Sequence, residues 1–353
     1  MSEMEGNIAY GRGKPIDEKP IDEKLIAGKP IELAKSSKPH QTFIVDATMI
    51  STFRACEEKY RKRFEDLHVA KGNNGALGSG LAFHEGAAAF RQARKAGQSV
   101  QDGFNCGLYK LREFYAKEMP PEFVNGPCPD ERRSLPNLER IFEAWCSYEA
   151  QQGFEYLYIE QSMGISLGSI ERGAAIYDII YAGIIDAVVK QQGCIFVDDI
   201  KTTTMNVTQA FKDSFRVSQQ FMGYTAGMKE MLGNEIYGAM ASIVWFQKEA
   251  KSGKGKPVSE YFHTVPVTYT DDQLEEWHTN TLRTINRILD CEEAGEWQLD
   301  FGDSCKTYNG CTYKSICGAT PKIREQIIKM DFERMTWTPL EEVRARKVLG
   351  DDD

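Results

Sequence analysis

Apolar positions along the chain change their period twice. From Val45 the pattern is helical: in MISTFRACEEKYRKRFE the residues Phe53, Tyr60 and Phe64 recur at helical spacing, with Thr48 as the expected cap. The Gly-rich connection Gly72–Gly80 leads into a second helical segment, LAFHEGAAAFRQARKAG. Helical patterns continue to about Gln152, broken by the loop Pro120–Pro136. β-branched and aromatic residues then dominate Tyr156–Leu167, Ala175–Lys190 and Cys194–Ile200, which predicts three strands. A helix is expected over Val207–Leu232 and strands over Tyr237–Lys248 and Glu260–Tyr269, with the basic hairpin loop KEAKSGKGKP between those strands. Asp271–Ala294 reads as a long amphipathic helix, followed by a cysteine-bearing loop and a polar C-terminal segment. Helices, then strands, a crossover helix and more strands predict a mixed α/β core with a helical insertion.

Residues 1–45 differ in texture. The stretch GKPIDEKPIDEKLIAGKPIE repeats Lys-Pro-Ile-Asp/Glu units, and its prolines and alternating charges oppose a packed element. A flexible tail over 1–45 is expected, with a partner-docking peptide as the second reading. The predicted organisation is that tail, a folded domain over 46–320 with a helical insertion at 81–152 and a cysteine loop at 305–317, and a helical and polar tail over 321–353.

Composition narrows the class. In 353 residues, 41% are hydrophobic and 27% charged, which supplies a sizeable core and excludes disordered, collagen-like and disulfide-stapled classes. No run approaches the roughly 18 apolar residues of a membrane span, and the first residues lack a signal-peptide core. A soluble, cytoplasmic protein without a membrane partner is therefore expected. Residues 1–45 carry seven basic and seven acidic side chains, so the net charge of −9 belongs to the folded body. That charge opposes a protein that coats duplex nonspecifically but is compatible with an enzyme holding one basic groove. Nine cysteines point to reduced thiols or metal ligation.

The chemistry concentrates in YAGIIDAVVKQQGCIFVDDIKTTT. Asp199 and Lys201 are two apart on a strand and so share a face. A turn at Gln191–Gly193 makes the flanking strands a hairpin, which can bring Asp186 beside them. Two carboxylates and an ammonium are costly to bury without a purpose, and their natural purpose is a hard divalent cation near a reacting water or phosphate. Alone, Asp-x-Lys is more often a strand-end salt bridge. Gln220 and Tyr224, spaced i, i+4 on the following helix, could both reach the same site.

A second signal lies in CKTYNGCTYKSIC, where Cys305, Cys311 and Cys317 are evenly spaced, with Cys56 far upstream. Four thiolates suit zinc or an iron–sulfur cluster. Cys106, Cys128, Cys146, Cys194 and Cys291 fit no ligand pattern.

From about Ser51 to Gly318 these motifs, in this order, resemble the PD-(D/E)XK nuclease superfamily, in the RecB-type branch that includes AddB and the CRISPR-associated iron–sulfur exonucleases. The resemblance implies a restriction-endonuclease-like mixed central sheet with flanking helices. It implies a site in which His84, Asp186, Asp199 and the carbonyl of Ile200 hold Mg²⁺ or Mn²⁺, with Glu85 as the alternative to His84. Lys201 would orient or activate water, the Gln220/Tyr224 pair would position DNA or the site's side chains, and Glu160 is a looser acidic candidate. It further implies a [4Fe–4S] cluster on Cys56, Cys305, Cys311 and Cys317, stapling the N- and C-terminal parts.

The expected activity is hydrolysis of DNA by a metal-dependent exonuclease, on single strands or ends, in recombination or repair within a bacterial or phage-infected cytoplasm. Alternatives are an endonuclease, a non-catalytic DNA-end-binding or scaffold subunit, and a zinc-stapled protein of unrelated function. Arg61, Lys62 and Arg63, with Lys59, and the loop lysines Lys248, Lys251, Lys254 and Lys256 are candidate DNA contacts, the bland reading being solvated faces. No Walker-type loop is present, so any motor would be a helicase or recombinase partner chain.

Overall fold

Period-two segments become strands and period-3.6 segments become helices in a computed structural model, which describes the backbone of residues 7–8 and residues 38–72, 74–126, 128–233, 235–249, 256–306 and 310–335. The elements run β1 (Asn7–Ile8), β2 (His40–Val45), α1 (Ala47–Ala55), α2 (Glu57–Tyr60), a π-helical turn (Arg61–Glu65), β3 (His68–Ala70), α3 (Gly75–Lys95), α4 (Val100–Glu118), α5 (Pro121–Val124) and α6 (Leu135–Gln151). Then follow β4 (Glu155–Arg172), β5 (Ala175–Gln191), β6 (Cys194–Thr203), α7 (Gln209–Asp213), α8 (Gln219–Leu232), β7 (Ile236–Trp245), β8 (Phe262–Val267), α9 (Asp271–Ala294), α10 (Lys314–Gly318), α11 (Pro321–Asp331) and β9 (Phe332–Arg334).

Several expectations change. The segment His40–Val45, assigned to the tail, is a strand: Phe43, Ile44 and Val45 are buried on pairing in parallel with the first half of β5. The repeat at 13–32 lies outside the described residues. Asp46, not Thr48, caps α1, its Oδ1 accepting the Met49 amide at 2.7 Å. The single helix expected through MISTFRACEEKYRKRFE breaks at Cys56, whose backbone is extended (φ −173°, ψ 121°). Val207–Leu232 resolves into α7, a 3₁₀ turn at Ser214–Val217, and α8, which starts on the Ser218 cap.

The chain divides into two compact units. The first takes the described residues of Met1–Lys71, Ser162–Gly183 and Thr270–Asp353, and the second takes those of Gly72–Gln161 and Ile184–Tyr269. In the first unit, α1 lies on α9, with Arg54 donating to Thr284 Oγ1 and Asn280 O, each at 3.0 Å. Helix α9 opens with a capping box between Thr270 and Gln273 and closes on Gly295 in the left-handed region (φ 69°). Strands β3 and β9 pair antiparallel.

In the second unit the strands run β5–β6–β7–β8, with β5–β6 antiparallel, β6–β7 parallel and β7–β8 antiparallel. Two residues with positive φ, Gln192 (51°) and Gly193 (86°), close the β5–β6 hairpin, the geometry that matches strand twist. Helices α3, α4 and α6 share a core of Phe83, Phe90, Leu111, Phe142 and Trp145, into which β6 sends Ile200. Helices α3 and α4 touch backbone to backbone at Gly86 and Gly107. A Cβ on Gly107 would sit 2.6 Å from the Gly86 carbonyl and 2.5 Å from the Phe142 ring.

Candidate active site

Strand alternation sorts the doublet Asp198–Asp199 to opposite faces of β6. Asp198 goes to the helix-covered core, while Asp199 and Lys201 share the other face. Asp199 is 3% exposed, and its Oδ2 lies 2.7 Å from the Lys201 ammonium. Helix α8, launched by its Ser218 cap, brings Gln220 against both: Oε1 accepts from Lys201 at 2.7 Å and Nε2 donates to Asp199 Oδ1 at 3.2 Å. A lysine can only donate, so it fixes the amide's orientation. The same Nε2 lies 3.0 Å from the Tyr224 hydroxyl, one turn along α8. The Lys201 ammonium also lies 5.7 Å from the centre of the Phe221 ring.

Asp186 enters from β5, one residue before the Ala187–Asp198 pair. Its Oδ2 accepts the Ile200 amide at 2.7 Å and meets His84 Nδ1 at 3.2 Å. His84 is carried by α3; Glu85, one residue on, points about 100° away around that helix. Burial raises the Asp186 pKa, but His84, the Ile200 amide and Lys201 outweigh it and hold it at about 2. Asp199 moves the other way: burial and the nearby Asp186 charge raise it against the pull of Lys201. Burial lowers His84, and the two carboxylates more than reverse that. The second unit thus brings together His84, Asp186, Asp199, Lys201, Gln220 and Tyr224, together with the Ile200 backbone.

Among the described residues, no three His, Cys, Asp or Glu side chains form a ready-made metal cluster. Asp186 is engaged by His84 and the Ile200 amide, and Asp199 by Lys201 and Gln220. The donor chemistry nonetheless fits a hard cation, being two carboxylates and an imidazole. Asp199 Oδ2 is buried without a well-aligned hydrogen bond, its near neighbour being the ammonium.

The thiols lie in the first unit. Cys56 occupies the break between α1 and α2, Cys305 ends a 3₁₀ turn, and the Cys311 amide donates to the Cys305 carbonyl at 3.1 Å. Cys317 sits in α10. All four line one cavity of about 130 Å³, together with Lys59, Phe301, Tyr313 and Lys314. Burial raises the Cys317 pKa, with Lys62 acting against it.

Two of the expected DNA contacts are engaged within the chain. Lys62 is 3% exposed and pairs with Glu58 at 2.8 Å; Arg61 grips the same carboxylate at 2.7 and 2.8 Å. The run enters a π-helical turn, and Arg61 and Lys62 turn onto Glu58, so these two are not presented as a cationic surface. Lys248 and Lys256 face Glu131 and Glu260 at 3.8 and 3.4 Å, and Lys251 and Lys254 lie outside the described residues.

The sequence reading overlooked a buried triad in the second unit. Arg91, completely buried, joins Glu149 (2.7 Å) and Asp198 (2.6 Å). Its one signal was an arginine on the apolar stripe of α3 formed by Phe83, Ala87 and Phe90.

The mixed sheet with flanking helices and the D-x-K strand end are consistent with a restriction-endonuclease-like fold. A family model of the PD-(D/E)XK nuclease superfamily matches residues 46–318, and the chain belongs to that superfamily. No curated protein matches the chain. Among solved structures it is similar to the crystal structure of SSO0001, at 11% identity and a TM-score of 0.33, over 82% of this chain and 90% of that one. Among the described residues, no helix is long and apolar enough to cross a membrane.

Proposed function

We propose that the chain is a Mg²⁺- or Mn²⁺-dependent deoxyribonuclease of the RecB/AddB-like branch, cutting DNA from an end. The observation that carries this reading is the convergence of Asp186, Asp199, Lys201 and Gln220 from two strands and a helix onto one strand end. His84, Asp186, Asp199 and the Ile200 carbonyl would hold the cation. When bound, it supplies Lewis-acid stabilisation of charge developing on the phosphate. Lys201, held between Asp199 and Gln220, is poised to orient the attacking water or a phosphate oxygen. Gln220 keeps that ammonium in place, and Tyr224 keeps Gln220 in place. This complete set argues against a non-catalytic scaffold, which has no need of it.

The end-cutting part rests on the family resemblance and on a sequence in which no helix-turn-helix or zinc-finger spacing is legible. Linear single-stranded DNA should disappear faster than covalently closed circles of the same sequence in a Mn²⁺ time course. Equal rates would make the enzyme an endonuclease with the metal chemistry unchanged. Degradation would then serve recombination or repair, with any motor on a partner chain.

We further propose that Cys56, Cys305, Cys311 and Cys317 hold a [4Fe–4S] cluster. Support comes from their lining one cavity although Cys56 is remote in sequence, and from the soft ligand set. Its role would be structural, since a cluster bound only by the folded chain adds its binding energy to folding. A brown, iron-containing preparation is expected; a colourless one containing zinc would replace the cluster with a zinc staple.

A further inference from the structure

Beneath the acidic site, the guanidinium of Arg91 is enclosed by two carboxylates. Its Nε and Nη2 lie 2.8 and 2.7 Å from Glu149 Oε1, and Nη2 lies 2.6 Å from Asp198 Oδ2. The Tyr156 hydroxyl donates to the same Glu149 oxygen at 3.1 Å, and the Ser242 hydroxyl donates to Asp198 Oδ1. The guanidinium carbon lies 5.7 Å from the centre of the Trp145 ring. All of these residues belong to the second unit, and Arg91, Glu149 and Asp198 are each at most 2% exposed.

Stability alone gives weak reason for such a triad. Buried ion pairs are often replaceable by apolar side chains without loss, because desolvation offsets their attraction. Its location gives a stronger one. Asp198 precedes Asp199, and a one-residue slip of a strand exchanges its two faces. In β6 that slip would exchange one aspartate for another, so the acid on the site face would be conserved while Lys201 and Ile200 moved away from it. Apolar patterning penalises the slip only through the neighbours of the doublet. A cation fixed in the core opposes that slip, because it would set Val197 against Arg91 in place of Asp198.

The second consequence runs through α3. His84 and Arg91 are seven residues apart, two turns and about 10.5 Å along one helix face. The helix therefore meets the sheet at two ionic contacts, His84–Asp186 and Arg91–Asp198. Holding one fixes where the other falls.

On the reading above that this is a metal-dependent nuclease, we infer that Arg91 is a positioning residue: through Asp198 it sets the register of β6, and through α3 the placement of His84. Asp199, the Ile200 carbonyl, Lys201 and His84 are thereby presented together. The arginine holds Glu149 through Nε and Nη2 while Nη2 also meets Asp198, a planar two-nitrogen geometry that the single nitrogen of a lysine does not reproduce.

The test compares Arg91→Lys with the triple variant Arg91→Met/Glu149→Gln/Asp198→Asn, which leaves no stranded buried charge. Folding is checked by near-ultraviolet circular dichroism, Mn²⁺ binding by electron paramagnetic resonance of the free ion, and cleavage by kcat and KM on an end-labelled oligonucleotide. The triple variant is expected to fold, to bind Mn²⁺ about tenfold more weakly and to lose about 10–100-fold in kcat at unchanged KM, as for lost outer-shell support of metal ligands. Arg91→Lys should fall between it and the wild type, and carries the test alone if the triple variant does not fold. Mn²⁺ affinity and kcat within twofold of wild type, with only a lowered melting temperature, would overturn the inference and leave Arg91 a stability residue. A wild-type protein that neither binds Mn²⁺ nor cleaves DNA would instead overturn the nuclease reading itself.

Discussion

The acidic site of the second unit and the cysteine cavity of the first are built on opposite principles. In the site, each side chain has a protein partner: Asp186 has His84 and an amide, Asp199 has Lys201 and Gln220, and Gln220 has Tyr224. These groups sit on strands and long helices, which hold their geometry without a ligand. In the cavity, the four thiols come from a helix break, a 3₁₀ turn, a loop and a five-residue helix. What gathers them is a shared cavity, with Cys311 and Cys317 packed against Tyr313, Ile316 and Phe332. On the proposed reading, the first is organised for chemistry before anything binds, and the second would be completed by a cluster.

That contrast sets how each region should fail. Lys201→Ala removes the ammonium between Asp199 and Gln220, and cleavage should fall by roughly a thousandfold or more with the fold intact. Retained Mn²⁺ binding in that variant would confirm that Lys201 acts on the reacting groups. Cys56→Ser should do the reverse. Visible absorbance and iron content should be lost and the melting temperature should drop by about 10 °C or more, while Cys106→Ser leaves all three unchanged. Full iron content in the Cys56 variant would show that three thiols suffice and that the cavity is less ligand-dependent than its geometry indicates.

Smaller effects sharpen the same comparison. Gln220→Ala keeps both carboxylates and the ammonium but removes the amide that aligns Lys201 with Asp199, so about a 10–100-fold loss of kcat is expected. Gly107→Ala tests the scaffold behind α3. The added methyl group would overlap the Gly86 carbonyl and the Phe142 ring, costing about 1–3 kcal/mol in a denaturant titration. Turnover per folded molecule should hardly change. Tyr224→Phe, which loses one hydrogen bond to Gln220, should lower kcat by only a fewfold.

The same division separates what could be read from the sequence from what could not. Period-two alternation put Asp199 and Lys201 on one face, and the turn at Gln191–Gly193 implied the hairpin that delivers Asp186. Helix α9 was readable end to end from its amphipathic period, and the structure adds a capping box and a left-handed glycine at its ends. The break at Cys56 was not, since MISTFRACEEKYRKRFE keeps a helical period across it. Strand β2 looked like the end of a polar tail because it is six residues long and is stabilised by pairing with β5, more than a hundred residues away. Arg91, Glu149 and Asp198 were invisible for the same reason: their contacts span 58 and 107 positions. That Arg61 and Lys62 turn onto Glu58 is not legible either, because charge patterning does not reveal the carboxylate beneath them.

In the proposed mechanism Asp199 is the acid of a metal-dependent cleavage site. The direct measurement is degradation of end-labelled single-stranded DNA by chelator-treated wild-type protein and by Asp199→Ala, each with Mg²⁺, Mn²⁺ or EDTA. Wild-type protein should degrade the label with either metal and not with EDTA, and Asp199→Ala should be inactive under all three conditions while keeping its circular dichroism spectrum. Cleavage by Asp199→Ala at the wild-type rate, or wild-type cleavage undiminished by EDTA, would contradict it.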